Sequence, residues 1–96
     1  MGISKRNKYE IIYDILVACV GGSKKSWISR RAYLSTRVSK KYIDVLVRSG
    51  LLEVRDGMYF TTNAGIELIN IIDAWRDAKK KTEELSIKLA AMIPHV

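Results

Sequence analysis

An unbroken heptad stripe runs through the last third of the chain. Leu68, Ile71, Trp75, Ala78, Thr82, Leu85, Leu89 and Met92 stand alternately three and four residues apart, and all but Thr82 are apolar. A stripe at that spacing is buried only when a second helix supercoils against it. A long pairing helix is therefore expected here, with those eight residues as a dimer interface. The charge lies elsewhere. Residues 1–62 hold twelve Lys/Arg against five Asp/Glu, and residues 63–96 hold five against five. The whole net charge of +7 thus sits outside the seam. A helix that pairs two basic heads points to nucleic acid as the partner.

A chain of 96 residues supplies one small core. Burial across a dimer interface would add to it. One cysteine and one histidine exclude an internal disulfide and argue against structural zinc. Cys19 lies in an apolar run and reads as a core residue. No segment approaches the ~18 uncharged apolar residues of a membrane span. No secretory apolar region follows the basic start. The expectation is a cytoplasmic, nucleoid-associated protein with no membrane partner.

Along the chain, Asn7-Lys8-Tyr9-Glu10 reads as a capping box. It opens a helix whose inner face carries Ile11, Ile12, Ile15, Leu16 and Cys19. Gly21-Gly22 stops it. Ser26 is expected to cap a short helix over 27–33. Ser35 starts a third helix over 36–49, with Val38, Tyr42, Ile43, Leu46 and Val47 inward and Gly50 as its left-handed cap. Two β-prone runs joined by Asp56-Gly57 predict a hairpin. Thr62 caps a final helix over 63–93, about 45 Å long at 1.5 Å per residue. Its second apolar face, Ile66, Ile69 and Ile72, is confined to the first turns and suits docking on the head. The expected fold is mostly α with a small β-hairpin: a winged helix-turn-helix over residues 1–62, then a long coiled-coil helix over 63–93.

In that layout the third helix enters the major groove, so its outer side must carry donors for phosphates and base edges. Arg37, Lys40 and Lys41 meet that demand. Lys24, Lys25, Arg30 and Arg31 can reach the flanking backbone, Arg55 lies beside the hairpin turn, and Lys5 and Arg6 extend the patch at the N-terminus. From Lys5 to Lys41 there are ten basic residues and two acids, Glu10 and Asp14. Lys79, Lys80 and Lys81 are interspersed with acids and read as coiled-coil flank. Trp27, Tyr33, Tyr42 and Phe60 read as core, Trp75 as a dimer anchor, and Tyr59 as exposed on the wing. No phosphate loop, acid pair or nucleophile–base spacing is present. No catalytic residue, metal ligand, cofactor or small-molecule substrate is assigned, and the chain reads as a non-enzyme.

The run Glu10-Ile11-Ile12-Tyr13-Asp14-Ile15-Leu16, with Tyr42, Leu46-Val47, Gly50-Leu51-Leu52 and the Thr-x-x-Gly at Thr62 to Gly65, resembles the archaeal ten-kilodalton winged-helix chromosomal proteins of the crenarchaeal "ten-a" class. The similarity runs over nearly the whole chain. It implies a binder of double-stranded DNA with little sequence preference. It also implies a homodimer through an antiparallel coiled coil of the last helix, and a role in bridging or compaction. Two departures stand out: the third helix is unusually basic, with Arg37 and Arg48, and the seam is weak at Ala78 and Thr82. In an antiparallel pair those small residues can face Trp75 or Leu85 of the second copy. The residues also allow a site-specific transcriptional regulator, with Arg37 and Lys40 reading guanine edges, or a protein-interaction module built on the long helix.

Overall fold

A computed structural model describes residues 6–93. Lys5, expected to extend the basic patch, lies outside them. The elements are α1 (Lys8–Ala18), β1 (Ser23–Lys24), α2 (Lys25–Arg31), α3 (Thr36–Arg48), β2 (Leu52–Arg55), β3 (Met58–Thr61) and α4 (Asn63–Met92).

Local chemistry places most boundaries. The Asn7 side chain accepts from the Glu10 amide at 2.9 Å, and the Glu10 carboxylate accepts from the Asn7 amide at 3.1 Å, closing the capping box. Ser35 Oγ accepts from the Val38 amide at 3.2 Å and opens α3. Gly50 ends that helix at φ +76°. The hairpin turn has positive φ at both Asp56 and Gly57, as a two-residue type I′ turn requires.

The sheet is larger than the expected hairpin. It has three antiparallel strands in the order β1-β3-β2, with Lys24 opposite Met58 and Ser23 opposite Tyr59. β1 supplies only two residues, but it ties the start of α2 to the turn end of the wing, pairing with the first two residues after Gly57. α2 also begins earlier than its sequence suggests. Its N-cap is Lys24, without a side-chain cap bond, and Ser26 lies inside the helix.

The core gathers Ile15, Leu16 and Cys19 of the α1 segment, Ile28 and Ala32 beside α2, Ile43 and Leu46 of α3, Leu52 of β2 and Ile69 of α4. Thr61 stitches α1 to β3: its amide donates to the Cys19 carbonyl at 3.1 Å and its hydroxyl to the Leu16 carbonyl at 2.6 Å. The Thr-x-x-Gly step is the joint between wing and α4. Thr62 Oγ1 accepts from the Gly65 amide at 3.1 Å and donates to the Gly50 carbonyl at 2.7 Å. A Cβ at Gly65 would stand 2.5 Å from both the Leu51 carbonyl oxygen and Thr61 Cγ2, so α4 seats closely only with glycine there.

α4 has two regimes. Ile69 and Ile72 are 9% and 4% exposed and dock it against the head, and Leu68 is half-buried against the same core. From Asp73 to Ile93 every residue is exposed. The helix projects and stretches the protein to 62 × 32 × 19 Å. No helix among the described residues is long and apolar enough to cross a membrane.

Candidate nucleic-acid interface

α3 is fixed from behind by Ser39, Ile43 and Leu46, all buried. Its other side exposes Thr36, Arg37, Lys40, Lys41, Asp44 and Arg48. Among the described residues, none of Arg37, Lys40 and Lys41 is ion-paired. An open groove runs between α2 and the start of α3, lined by Lys25, Ser26, Ser29, Arg30, Ser35 and Thr36. Two cations and four hydroxyls line it, a set of side chains that suits a phosphate. On the other flank, Asp44, Val47 and Arg48 face Val54 and Tyr59 of the wing across a second cleft. Arg48 therefore stands beside the wing, where its helical phase alone did not mark it as an interface residue.

The remaining assigned cations are placed unequally. Lys24 and Arg31 are exposed and flank Trp27 rather than α3. Arg55 pairs with Glu53 at 3.0 Å and lies 4.2 Å over the Phe60 ring. Both charges are solvent-accessible, so that pair holds Arg55 only weakly. Arg6 is held more firmly: one nitrogen meets Asp14 at 2.6 Å and another donates to the Tyr33 carbonyl at 3.1 Å. It clasps the start of α1 to the turn between α2 and α3.

The aromatic expectations need correction. Trp27 is 50% exposed and Tyr33 87% exposed, so neither is core. α2 is too short to bury more than one face, and Ile28 with Ala32 fills that face. Tyr33 takes φ +53°, a conformation that disfavours a bulky side chain, and it does so in the turn that sets the angle between α2 and α3. Phe60 and Tyr42 are half-buried, and Tyr59 packs against the core rather than standing free on the wing. Val38, expected inward, is also exposed.

The arm begins at a second aromatic cluster. Trp75 meets Tyr9 edge to face at 5.9 Å, and the Lys79 ammonium lies 5.4 Å from the Trp75 ring centre. Arg76 lies 4.8 Å over Tyr13. Hydrogen bonding to the Asp73 carboxylate, then burial, raises the Tyr13 hydroxyl above its ordinary pKa of 10.0. Trp75 thus braces the arm against α1 while keeping part of its surface open. In the core, burial pushes the Cys19 thiol up to about 11.

Residues 5–80 match the family model described as winged helix-turn-helix. The chain belongs to the winged helix-turn-helix family. The matched stretch covers the head and the docked part of α4 and stops within the projecting arm. Among solved structures, this winged helix-turn-helix protein is similar to Sso10a-2, a DNA-binding protein from Sulfolobus solfataricus. The TM-score is 0.84 at 23% sequence identity, over 95% of this chain and 100% of that one. The likeness establishes that the fold extends through the long helix as well as the head. No curated protein matches the chain.

Proposed function

We propose that the chain is a homodimeric double-stranded DNA-binding protein of the architectural type, with low sequence specificity, which bridges or compacts DNA in the nucleoid. The observation that carries this reading is the exposed cationic side of α3, continuous with the hydroxyl-lined groove at its start. The DNA binding of Sso10a-2, a protein of the same fold, supports it. Lys25, Arg30, Arg37, Lys40 and Lys41 are the principal contacts, joined by Lys24, Arg31 and Arg55 at the margins and by Lys5 at the N-terminus. Arg6 acts mainly as a clasp. The reading involves no catalysis, metal or cofactor. Residues 1–62 act as the binding unit and residues 63–93 as the dimerising unit.

The arm carries the dimer. Ile71, Trp75, Ala78, Thr82, Leu85, Leu89 and Met92 form the seam, with Leu68 already partly committed to the head. Leu85 and Leu89 are 60% and 59% exposed. Leaving such a row in water forfeits burial worth about 1.5–3 kcal/mol per large side chain. Thr82 is less of a defect than its side chain suggests. Its hydroxyl donates to the Ala78 carbonyl at 2.9 Å, so a partner would cover its methyl without stranding a donor. An antiparallel pairing sets the heads far apart, which favours two duplexes or two distant segments over adjacent half-sites.

A labelled random duplex titrated at several salt concentrations tests this reading. Neutralising ~6–10 phosphates per dimer gives a slope of log K on log salt of about −5 to −9. Unlabelled duplexes of any sequence should compete equally. Competition by only a few sequences identifies a site-specific regulator, and no binding at ~50 mM salt rejects duplex binding altogether.

A further inference from the structure

Trp27 has an environment that duplex binding by α3 does not use. It stands half-exposed on the side of α2 that faces β1 and the wing. Lys24, Trp27 and Arg31 share that side, and Met58 of β3 closes it from below. The guanidinium carbons of Arg30 and Arg31 each lie 5.8 Å from the Trp27 ring centre. The cleft they outline measures about 190 Å³, and no carboxylate lines it among the described residues. Arg30 also lines the groove beside α3, so the two surfaces share one cation at their border.

We propose that Trp27, flanked by Lys24, Arg30 and Arg31, is a stacking platform for an unpaired nucleobase, giving each head a second surface that takes single-stranded nucleic acid. An indole offers a flat face to any base, and cations beside it meet the phosphates on either side of that base. A base inside a duplex has both faces covered by its neighbours, so it cannot use the platform. The ligand is therefore a single strand, a frayed end or a bulge. The proposal goes beyond duplex binding and does not depend on it. α3 can fail to bind duplex while this surface still takes single strands.

The test uses the full chain with Trp75→Phe, so that Trp27 is the only tryptophan. Its fluorescence is followed while oligo(dT), oligo(U) and a blunt hairpin duplex closed by a non-nucleotide linker, which leaves no base unpaired, are added at low salt. The expected result is quenching by the single strands and little change with the hairpin. In the wild-type chain, Trp27→Ala should weaken single-strand binding by about tenfold and leave hairpin affinity within about twofold, since one stacked base contributes roughly that much. Trp27→Phe should restore most of the loss, and thermal melting of each variant shows that the fold is kept. Binding of either oligonucleotide through Trp27 supports the proposal and tells DNA from RNA as the source. No single-strand binding at ~50 mM salt, or equal losses for hairpin and single strand in Trp27→Ala, overturns it.

Discussion

The first turns of α4 and its last five are one continuous helix, yet they are held by different things. Up to Ile72 the helix is part of the head: Ile69 and Ile72 are buried, Gly65 lets the backbone approach Leu51, and Thr62 locks the joint. Beyond Ile72 the head touches it through Tyr9 and Tyr13, against Trp75, Arg76 and Asp73, and no described residue is buried, although the apolar repeat continues through Met92 with Thr82 as its one polar member. A helix of this composition is not sustained by propensity alone in water; packing of an amphipathic face normally supplies the stability. One helix can thus carry a docked face that completes the fold and, on a neighbouring stripe, an exposed apolar row to which the proposed dimer contact is assigned.

Substitutions in the two regimes should separate cleanly. Ile72→Ala removes a buried side chain and should cost about 3 kcal/mol in denaturant unfolding, whereas Leu89→Ala should leave dilute unfolding nearly unchanged and raise the concentration at which dimers form. A comparable loss from both would show that the arm is part of the monomer's fold. Gly65→Ala should cost about 2 kcal/mol, because the added methyl meets a carbonyl oxygen that belongs to the backbone. Unfolding with no loss would mean that the joint between wing and arm is loose.

Ionisation probes the same contrast. Cys19 is fully buried, and its folded pKa of about 11 lies above the ordinary 9.0. Between those values the unfolded chain has released the proton and the folded one still holds it, so stability falls as pH rises from about 9 to about 11. The fall should amount to roughly 2 kcal/mol. Alkaline unfolding of Cys19→Ala should lack that part of the slope. A smaller effect is expected at the border of the two regimes. Tyr9→Ala removes the edge-to-face contact with Trp75 and should cost about 1 kcal/mol, while freeing the arm to swing.

Much of this architecture was legible because its signals are local. Asn7 with Glu10, Ser35, Asp56-Gly57 and Thr62 each act on backbone within four residues, and each does what its type suggests. The docked face of α4 was legible in Ile69 and Ile72, since a period of 3.6 places them together, but Ile66, expected on the same face, is 38% exposed. β1 was not legible, because Ser23 and Lys24 have no strand pattern and become a strand only by pairing with β3. The start of α2 was missed for a related reason: Lys24 enters the helix straight from that pairing, with no capping side chain to announce it. Trp27 and Tyr33 were misjudged as core because a seven-residue helix offers too few positions to reveal which face is buried. At the candidate interface, charge marked the face of α3 that the fold leaves exposed. Only tertiary contacts show that Arg6 is engaged by Asp14 and Tyr33, and that Arg48 stands beside the wing.

Coupling of two DNA-binding heads by the projecting arm is the proposal on which bridging rests. It is tested most directly with two duplexes, one surface-bound and one fluorescent, mixed with the wild-type chain or with a Leu85→Lys/Leu89→Lys variant. The wild type should retain the fluorescent duplex on the surface. The variant should be monomeric by sedimentation and bind the surface duplex with the weaker affinity of a single head, but retain no second one. Equal retention by both proteins, or a wild-type chain that sediments as a monomer at micromolar concentration, would contradict it.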